Sequence, residues 1–141
     1  MEISKQTNIL QFSSLKIYDF IINIDNYKTI LGDEISDFEK LSVNEFKIKI
    51  GSMPKISLEL VENRPSSSVK LLSNDSNLNF QISITVDSVD NNSSVVYVKF
   101  EGKFSTMIEM MIKNPLEKFI NSLKNKVEEL GRFEKVIILF I

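Results

Sequence analysis

Hydrophobic and polar residues alternate along the middle of the chain, from about Ile35 to Phe104. Segments such as Phe46 to Ile50, Ile56 to Leu60 and Leu78 to Val86 place apolar side chains at every second position. A period of two predicts β-strands with one buried face and one solvated face. Clusters of Gly, Pro, Asn, Asp and Ser separate the segments and predict tight turns. The pattern therefore predicts an antiparallel meander of six strands.

A helical spacing follows the meander. Between Ser105 and Leu130, apolar residues recur at intervals of three and four, which is typical of one buried face of a helix. The predicted stripe consists of Ile108, Met111, Ile112, Leu116, Phe119, Leu123, Val127 and Leu130. Thr106 to Glu109 has the pattern of a capping box, in which Glu109 folds back onto the first turn. Gly131 is expected to end the helix.

Pro115 lies inside this helical pattern. A proline there removes the backbone hydrogen bond to the Met111 carbonyl. The sequence allows three interpretations: a fixed kink, the first turn of a second helical segment, or a hinge that opens a pocket.

The N-terminal part adds a strand and two short helices. Ile3 to Phe12 is predicted to form the first strand, and Ser13-Ser14 supplies capping hydroxyls for a helix over residues 14–24. Asp25 is expected to cap a further helical turn from Tyr27 to Leu31. Together the elements predict an α+β domain with a curved antiparallel sheet of about seven strands wrapped around one long C-terminal helix. Residues 1–130 form this domain, and residues 131–141 form a hydrophobic tail.

Composition narrows the possible chemistry. The 141 residues contain no cysteine and no histidine, which excludes disulfides, thiolate metal sites and the usual proton-transfer side chain. No catalytic residue, metal or cofactor is predicted, and the chain is more easily read as a binding protein than as an enzyme. The net charge of −2 does not indicate the basic surface that nucleic-acid binding requires. The N-terminus lacks signal-peptide features, and no apolar run approaches the roughly 20 residues of a transmembrane helix. We therefore expect a soluble, cytoplasmic protein.

Several segments resemble a known superfamily. Leu15 to Ile21, followed by Ile24 to Tyr27, resembles the first two helices of START-like (SRPBCC) proteins, which include polyketide cyclase/dehydrase-like and lipid-transport-like members. Two further segments resemble a small bacterial branch, Phe46 to Gly51 with Met53-Pro54, and Met110 to Leu116. The resemblance covers about residues 1–130. It implies a helix-grip fold with a cavity between the sheet and the long helix, entered near the N-terminus of that helix.

The inward positions of such a fold are candidate ligand contacts. The predicted cavity lining consists of Tyr18, Tyr27, Phe46, Ile48, Met53, Leu58, Phe80, Ile82, Val98, Phe100, Met107, Met111 and Phe119. These side chains are almost entirely apolar, which favours a lipid-, isoprenoid- or polyketide-like ligand. A filled core without a cavity is the alternative. A cyclase/dehydratase-like enzyme would need Tyr18 or Tyr27 as its polar group, and a protein-interaction module would have a closed core.

Two apolar features lie near the ends of the long helix. Met53, Met107, Met110 and Met111 are interpreted either as gap-filling core residues or as a flexible cavity entrance, because methionine adapts its shape. The tail from Phe133 to Ile141 has strong β-propensity. It is expected to pair with a sheet edge, to dock in an apolar groove (its own pocket included), or to mediate self-association, unless it is an extension without function.

Overall fold

The computed structural model describes residues 1–31, 35–74 and 78–140, with side chains up to Glu129. The elements are β1 Glu2–Gln6, α1 Ser14–Ile21, a 3₁₀ turn Ile24–Asn26, α2 Tyr27–Ile30, β2 Ile35–Lys40, β3 Glu45–Ile50, β4 Ile56–Arg64, β5 Ser68–Ser73, β6 Phe80–Asp90, β7 Ser93–Gly102 and α3 Thr106–Phe140. This order confirms the predicted α+β architecture.

The strands form one seven-stranded sheet in the order β1-β7-β6-β5-β4-β3-β2. Every neighbouring pair is antiparallel, and the six strands of the meander pair in sequence order. The first strand returns to pair with the last one. Because apolar residues alternate along each strand, one face of the sheet is apolar, and α3 packs against it. This arrangement confirms the helix-grip prediction.

The first strand ends well before Phe12, because Thr7 takes over part of the ladder with its side chain. The Thr7 amide donates to the Val96 carbonyl at 3.0 Å, and the Thr7 hydroxyl accepts from the Val96 amide at 3.0 Å. Beyond this point the chain makes one isolated bridge, between Leu10 and Ser94. The predicted strand is therefore shorter than expected, because the Thr7 hydroxyl accepts the hydrogen bond that a backbone carbonyl would accept in a regular ladder.

The short helices begin as the sequence suggests, with one exception. The Ser13 hydroxyl accepts from the Lys16 amide at 3.3 Å, which confirms its capping role. Asp25 does not cap the next turn, so that prediction is wrong. The Asn23 side chain accepts from the Asp25 amide at 3.0 Å, and the Asp25 carboxylate pairs with Lys40 at 2.9 Å.

The start of α3 also differs from the prediction. Ser105 is the capping residue, since its hydroxyl accepts from the Ile108 amide at 3.3 Å. The cap is therefore one residue earlier than predicted, and the prediction of a capping box from Thr106 to Glu109 is wrong. Glu109 does not fold back on its own turn but lies 3.4 Å from the ammonium group of Met1. This contact ties the first turn of α3 to the edge strand.

The buried stripe of α3 matches the prediction at Ile112, Leu116, Phe119, Leu123 and Val127, whereas Ile108 is half-buried and the Leu130 side chain lies outside those that the structure describes. Met111 is 70% exposed, so its assignment to the stripe is wrong, whereas Ile120 is fully buried. At 100° per residue, Met111 lies about 120–140° around the helix from Leu116 and Leu123, whereas Ile112 lies within about 40° of both. The helix runs to Phe140, so Gly131 does not end it. Glycine inside a helix costs only about 1 kcal/mol relative to alanine.

The predicted roles of the tail from Phe133 to Ile141 concern side chains outside those the structure describes. Among the described residues, no helix is long and apolar enough to span a membrane.

Candidate ligand-binding site between sheet and helix

The candidate site is the surface where α3 crosses the apolar face of the sheet. Directly paired residues build it as rows running across the strands. One row joins five strands through Ile3, Phe100, Ile82, Leu71 and Leu60. Its members are 8% exposed at most. Burial of such rows supplies the main stabilisation of the fold, at roughly 25 cal/mol per Å² of apolar surface.

Most of the predicted lining residues lie in this interior. Exposed by 5% or less are Tyr18, Tyr27, Phe46, Ile48, Met53, Leu58, Phe80, Ile82, Val98, Phe100 and Phe119. All of these except Tyr18, Met53 and Phe80 have no accessible surface. Water therefore has no access to these eight side chains in this conformation. A ligand seated among them must displace side chains, and their contact with a ligand stays a prediction.

Two tyrosine hydroxyls lie in the interior, and they differ in hydrogen bonding. Tyr27 is fully buried and donates to the Ile21 carbonyl at 2.6 Å, which satisfies the last turn of α1. Burial raises the pKa of Tyr27 far above its usual value. The Tyr18 hydroxyl is buried and has no hydrogen-bond partner of acceptable geometry in the part of the chain that the structure describes. Burial, and then the nearby Glu62 carboxylate, raise the pKa of Tyr18. Both phenols are held neutral.

The two halves of α3 are packed very differently. In residues 116–129, the side chains of Leu116, Phe119, Ile120 and Leu123 have no accessible surface. In residues 106–115, Ile112 is the single fully buried side chain, at 7% exposure, and Ile108 is half-buried. The C-terminal half is therefore anchored in the core, whereas the N-terminal half is held more loosely.

Pro115 lies at the boundary between these halves, inside a continuous helix. It removes the backbone hydrogen bond that would reach the Met111 carbonyl. Across from it is Gly51, at the end of β3, whose φ of +52° suits glycine. A Cβ built on Gly51 would lie 3.7 Å from the Pro115 Cβ. The turn after β3 therefore approaches the helix at the one position where the helix ladder is interrupted.

Aromatic rings close the same end of the sheet. The Phe100 ring lies 5.0 Å from Phe80 and 6.3 Å from Phe104, measured between centroids. Phe104 folds back over Gly102, and a Cβ on Gly102 would come within 2.7 Å of its ring. The glycine is therefore required by this close approach. Sequence reasoning placed Phe104 in a strand and missed its role as a cover.

Sequence reasoning also missed Glu128, a buried carboxylate on α3. It is 8% exposed and accepts from the Asn8 amide at 2.9 Å. It also pairs with Lys124 at 3.1 Å, one helical turn away. In the sequence, an i,i+4 pair of Lys and Glu is typical of the solvent-exposed face of a helix. The segment after β1 covers it, and no local pattern reveals that cover.

The described residues also line an open groove of about 640 Å³ at the end of the sheet formed by β1, β7, β6 and β5. Its walls combine polar residues such as Glu2, Gln81 and Lys103 with the apolar residues Met1, Leu72 and Phe80, so its lining is mixed. The described residues contain no group of His, Cys, Asp or Glu that could hold a metal ion.

Met107, Met110 and Met111 are exposed by 72%, 79% and 70%. At 100° per residue, they lie on the side of α3 opposite the buried stripe. Met53 is 5% exposed and belongs to the core. The predicted methionine cluster is thus divided between the interior and an outward face. That Met107 and Met111 contact a ligand stays a prediction.

No protein-family model and no curated protein sequence matches the chain. Solved structures do match its fold. A point mutant of norcoclaurine synthase from Thalictrum flavum, in complex with a transition-state analogue, aligns with a TM-score of 0.73 and 13% identity over 96% of each chain. A START superfamily protein from Mycobacterium smegmatis aligns with a TM-score of 0.66 and 14% identity, over 92% of this chain and 98% of that one. The chain has the START-like helix-grip fold. XoxI from Bacillus cereus also shares this START-like fold, with a TM-score of 0.72 and 11% identity over 92% of this chain and 94% of that one.

Proposed function

We propose that this START-like protein binds one small apolar molecule between the sheet and the N-terminal half of α3. The observation that carries the proposal is the unequal packing of the helix. Four side chains with no accessible surface fix the C-terminal half, whereas Ile112 alone is fully buried in the N-terminal half. Pro115 lies between them and weakens the helix ladder at that point. The N-terminal half is therefore the part that can move away from the sheet.

The ligand would take the place of contacts that the N-terminal half now makes with the sheet. A ligand that buries about 400 Å² of apolar surface gains about 10 kcal/mol. A micromolar dissociation constant needs about 8 kcal/mol. The opening must therefore cost no more than about 2 kcal/mol, and the apolar side chains of the N-terminal half that it would move are one buried residue, Ile112, and one half-buried residue, Ile108. A rearrangement of the fully packed half would cost several buried side chains.

The chemistry of the surroundings selects for apolar ligands. The Tyr27 hydroxyl is already used by the Ile21 carbonyl, so it offers no donor to a ligand. The movable half contributes Ile108 and Ile112 to an apolar core that also includes Met53 and the partly buried Phe104, and none of these side chains can form a hydrogen bond with a ligand. Lipid-, isoprenoid- and polyketide-like molecules fit this description. In the related fold of norcoclaurine synthase, a structure holds dopamine and hydroxybenzaldehyde.

A disulfide lock tests both binding and its location. The Cβ separation of 3.7 Å between positions 51 and 115 falls within the range of disulfides. The chain has no cysteine, so Gly51→Cys with Pro115→Cys creates a single possible bridge. Cysteine at the positive φ of position 51 costs about 1 kcal/mol, which the fold can tolerate. The reduced form of the same variant is the matched control.

Native mass spectrometry of freshly purified protein comes first, with release and identification of bound molecules, followed by titration with palmitate, farnesol and naringenin. We expect the oxidised variant to bind at least tenfold more weakly than the reduced variant, and the comparison is matched because both forms lack Pro115. Equal binding by both forms would contradict a moving N-terminal half. A clean apo mass and no binding to any probe would contradict the proposed function itself.

A further inference from the structure

The outward face of α3 carries three neighbouring thioethers. Met107, Met110 and Met111 are spaced i, i+3 and i+4, so they occupy one side of the first two turns. Each is at least 70% exposed, and together they form the outward methionine face. The proposed apolar site lies on the opposite side of the helix, so it does not account for these residues.

Methionine at these three positions differs chemically from the aliphatic residues that the chain uses elsewhere. The core is built almost entirely from Ile, Leu, Val, Phe and Tyr, with Met53 as its fully buried methionine. Three of the five methionines in the chain lie instead on the outward methionine face. The other exposed large apolar residues are spread over loops, strands and α1: Ile9, Leu15, Leu41, Val43, Val89 and Tyr97. An apolar surface needs only aliphatic side chains, whereas a thioether adds a soft, neutral sulfur donor.

We propose that Met107, Met110 and Met111 bind one soft monovalent metal ion, Cu(I), through their three thioether sulfurs. Residues at this helical spacing have Cβ atoms about 5–6 Å apart, and three rotatable bonds in each side chain let the sulfurs converge on one ion. Thioethers are ligands that select Cu(I) among the transition-metal ions. They are neutral, so the complex keeps a single positive charge.

The surroundings of the outward methionine face are compatible with a monovalent cation. The positive end of the helix dipole disfavours a cation in the first turn. Glu109 is already paired with the Met1 ammonium group, and the exposed Glu117 and Lys118, two turns beyond Met110 and Met111, carry opposite charges, so the thioethers themselves must offset this effect. A chain without cysteine or histidine offers no stronger soft ligand elsewhere, so the ion has no better site to occupy.

Silver(I) is the probe, because it shares the ligand preference of Cu(I) and does not change oxidation state. The protein is labelled at the methionine methyl groups and titrated while the methyl resonances are recorded by NMR. We expect the signals of Met107, Met110 and Met111 to shift together and to saturate at about one silver ion per chain. The signals of Met1 and Met53 are expected to stay in place. Competition with a colorimetric Cu(I) chelator under anaerobic conditions then measures the affinity for copper itself.

Leucine is the matched replacement because it conserves volume and these positions are exposed. The triple variant Met107→Leu, Met110→Leu, Met111→Leu is expected to lose silver binding and to keep its thermal midpoint. Met53→Leu is the control and should bind silver like the wild type. Retained binding in the triple variant, no shifts on titration, or equal shifts of all five methyl signals would each overturn the proposal.

Discussion

Tyr27 and Tyr18 offer the same substitution in two opposite environments. Both side chains are almost completely buried, at 0% and 3% exposure. The Tyr27 hydroxyl donates to the Ile21 carbonyl at 2.6 Å, whereas the Tyr18 hydroxyl lies near the Glu62 carboxylate but has no hydrogen-bond partner of acceptable geometry among the described residues. Replacing each with phenylalanine removes one oxygen atom and leaves the ring in place. The structure predicts that the two changes alter the free energy of unfolding in opposite directions.

The magnitudes follow from the fate of the remaining groups. Tyr27→Phe leaves the buried Ile21 carbonyl without its donor, which costs about 1–3 kcal/mol. Tyr18→Phe removes a buried hydroxyl that gains no hydrogen bond in the folded state, so its loss is neutral or stabilises by up to about 1 kcal/mol. With a central value of about 2 kcal/mol and an m value near 1.5 kcal/mol/M, Tyr27→Phe lowers the urea midpoint by about 1.3 M.

Alkaline pH adds a second signature at Tyr27. Burial raises its pKa in the folded state above the unfolded value of about 10. The folded state therefore holds the proton longer, and the corresponding stability is complete below pH 10 and is lost as the pH rises above it. At pH 11, RT ln(1 + 10) gives a loss of about 1.4 kcal/mol from this group. Phenylalanine does not ionise, so the difference between wild type and Tyr27→Phe narrows by that amount.

Urea unfolding followed by far-ultraviolet circular dichroism at pH 7 and pH 11 measures both effects. Tyr97→Phe serves as the control, because that side chain is 39% exposed. Equal losses for Tyr27→Phe and Tyr18→Phe at pH 7 would refute the hydrogen-bond argument. A difference for Tyr27→Phe that stays constant up to pH 11 would refute the argument from its raised pKa.

Three further substitutions test local geometry. Ser66 has a φ of 65° in the turn between β4 and β5, so Ser66→Gly is expected to raise the free energy of unfolding by about 0.5–1 kcal/mol in urea denaturation. Gly102→Ala places a Cβ within 2.7 Å of the Phe104 ring and is expected to cost about 1–3 kcal/mol, with most of that cost relieved in a double variant that carries Phe104→Ala. Glu128→Ala removes the acceptor of the Asn8 amide and is expected to cost about 2 kcal/mol, while Glu128→Gln keeps an acceptor and costs less; hydrogen exchange at Asn8 distinguishes a local from a global effect.

The sequence predicted those parts of the fold that depend on local periodicity. Strands β3, β4, β6 and β7 alternate because each has one apolar face, and a pattern of period two reports that face directly. The order of the elements then predicted the seven-stranded sheet and the long helix, as observed. These predictions needed no knowledge of which distant segments meet.

The errors arose where a distant segment decides the environment. Glu128 follows a solvated i,i+4 pattern, yet the segment carrying Asn8 covers it. Glu109 was assigned to a local cap, yet it reaches the ammonium group of Met1. Helical periodicity fixes the spacing of a buried face but leaves its exact phase to tertiary contacts.

The packing of α3 connects stability with the proposed function. A helix-grip protein whose helix is anchored along its whole length has a stable core but no route for a ligand. Here the C-terminal half is anchored by four side chains with no accessible surface, Leu116, Phe119, Ile120 and Leu123. The fold therefore does not depend on tight packing of the N-terminal half. Pro115 would be costly in the middle of the anchored half, because its missing hydrogen bond would be buried with no water to replace it. Its location at the boundary is therefore the position where an interrupted ladder costs least and where bending displaces the loosely packed turns.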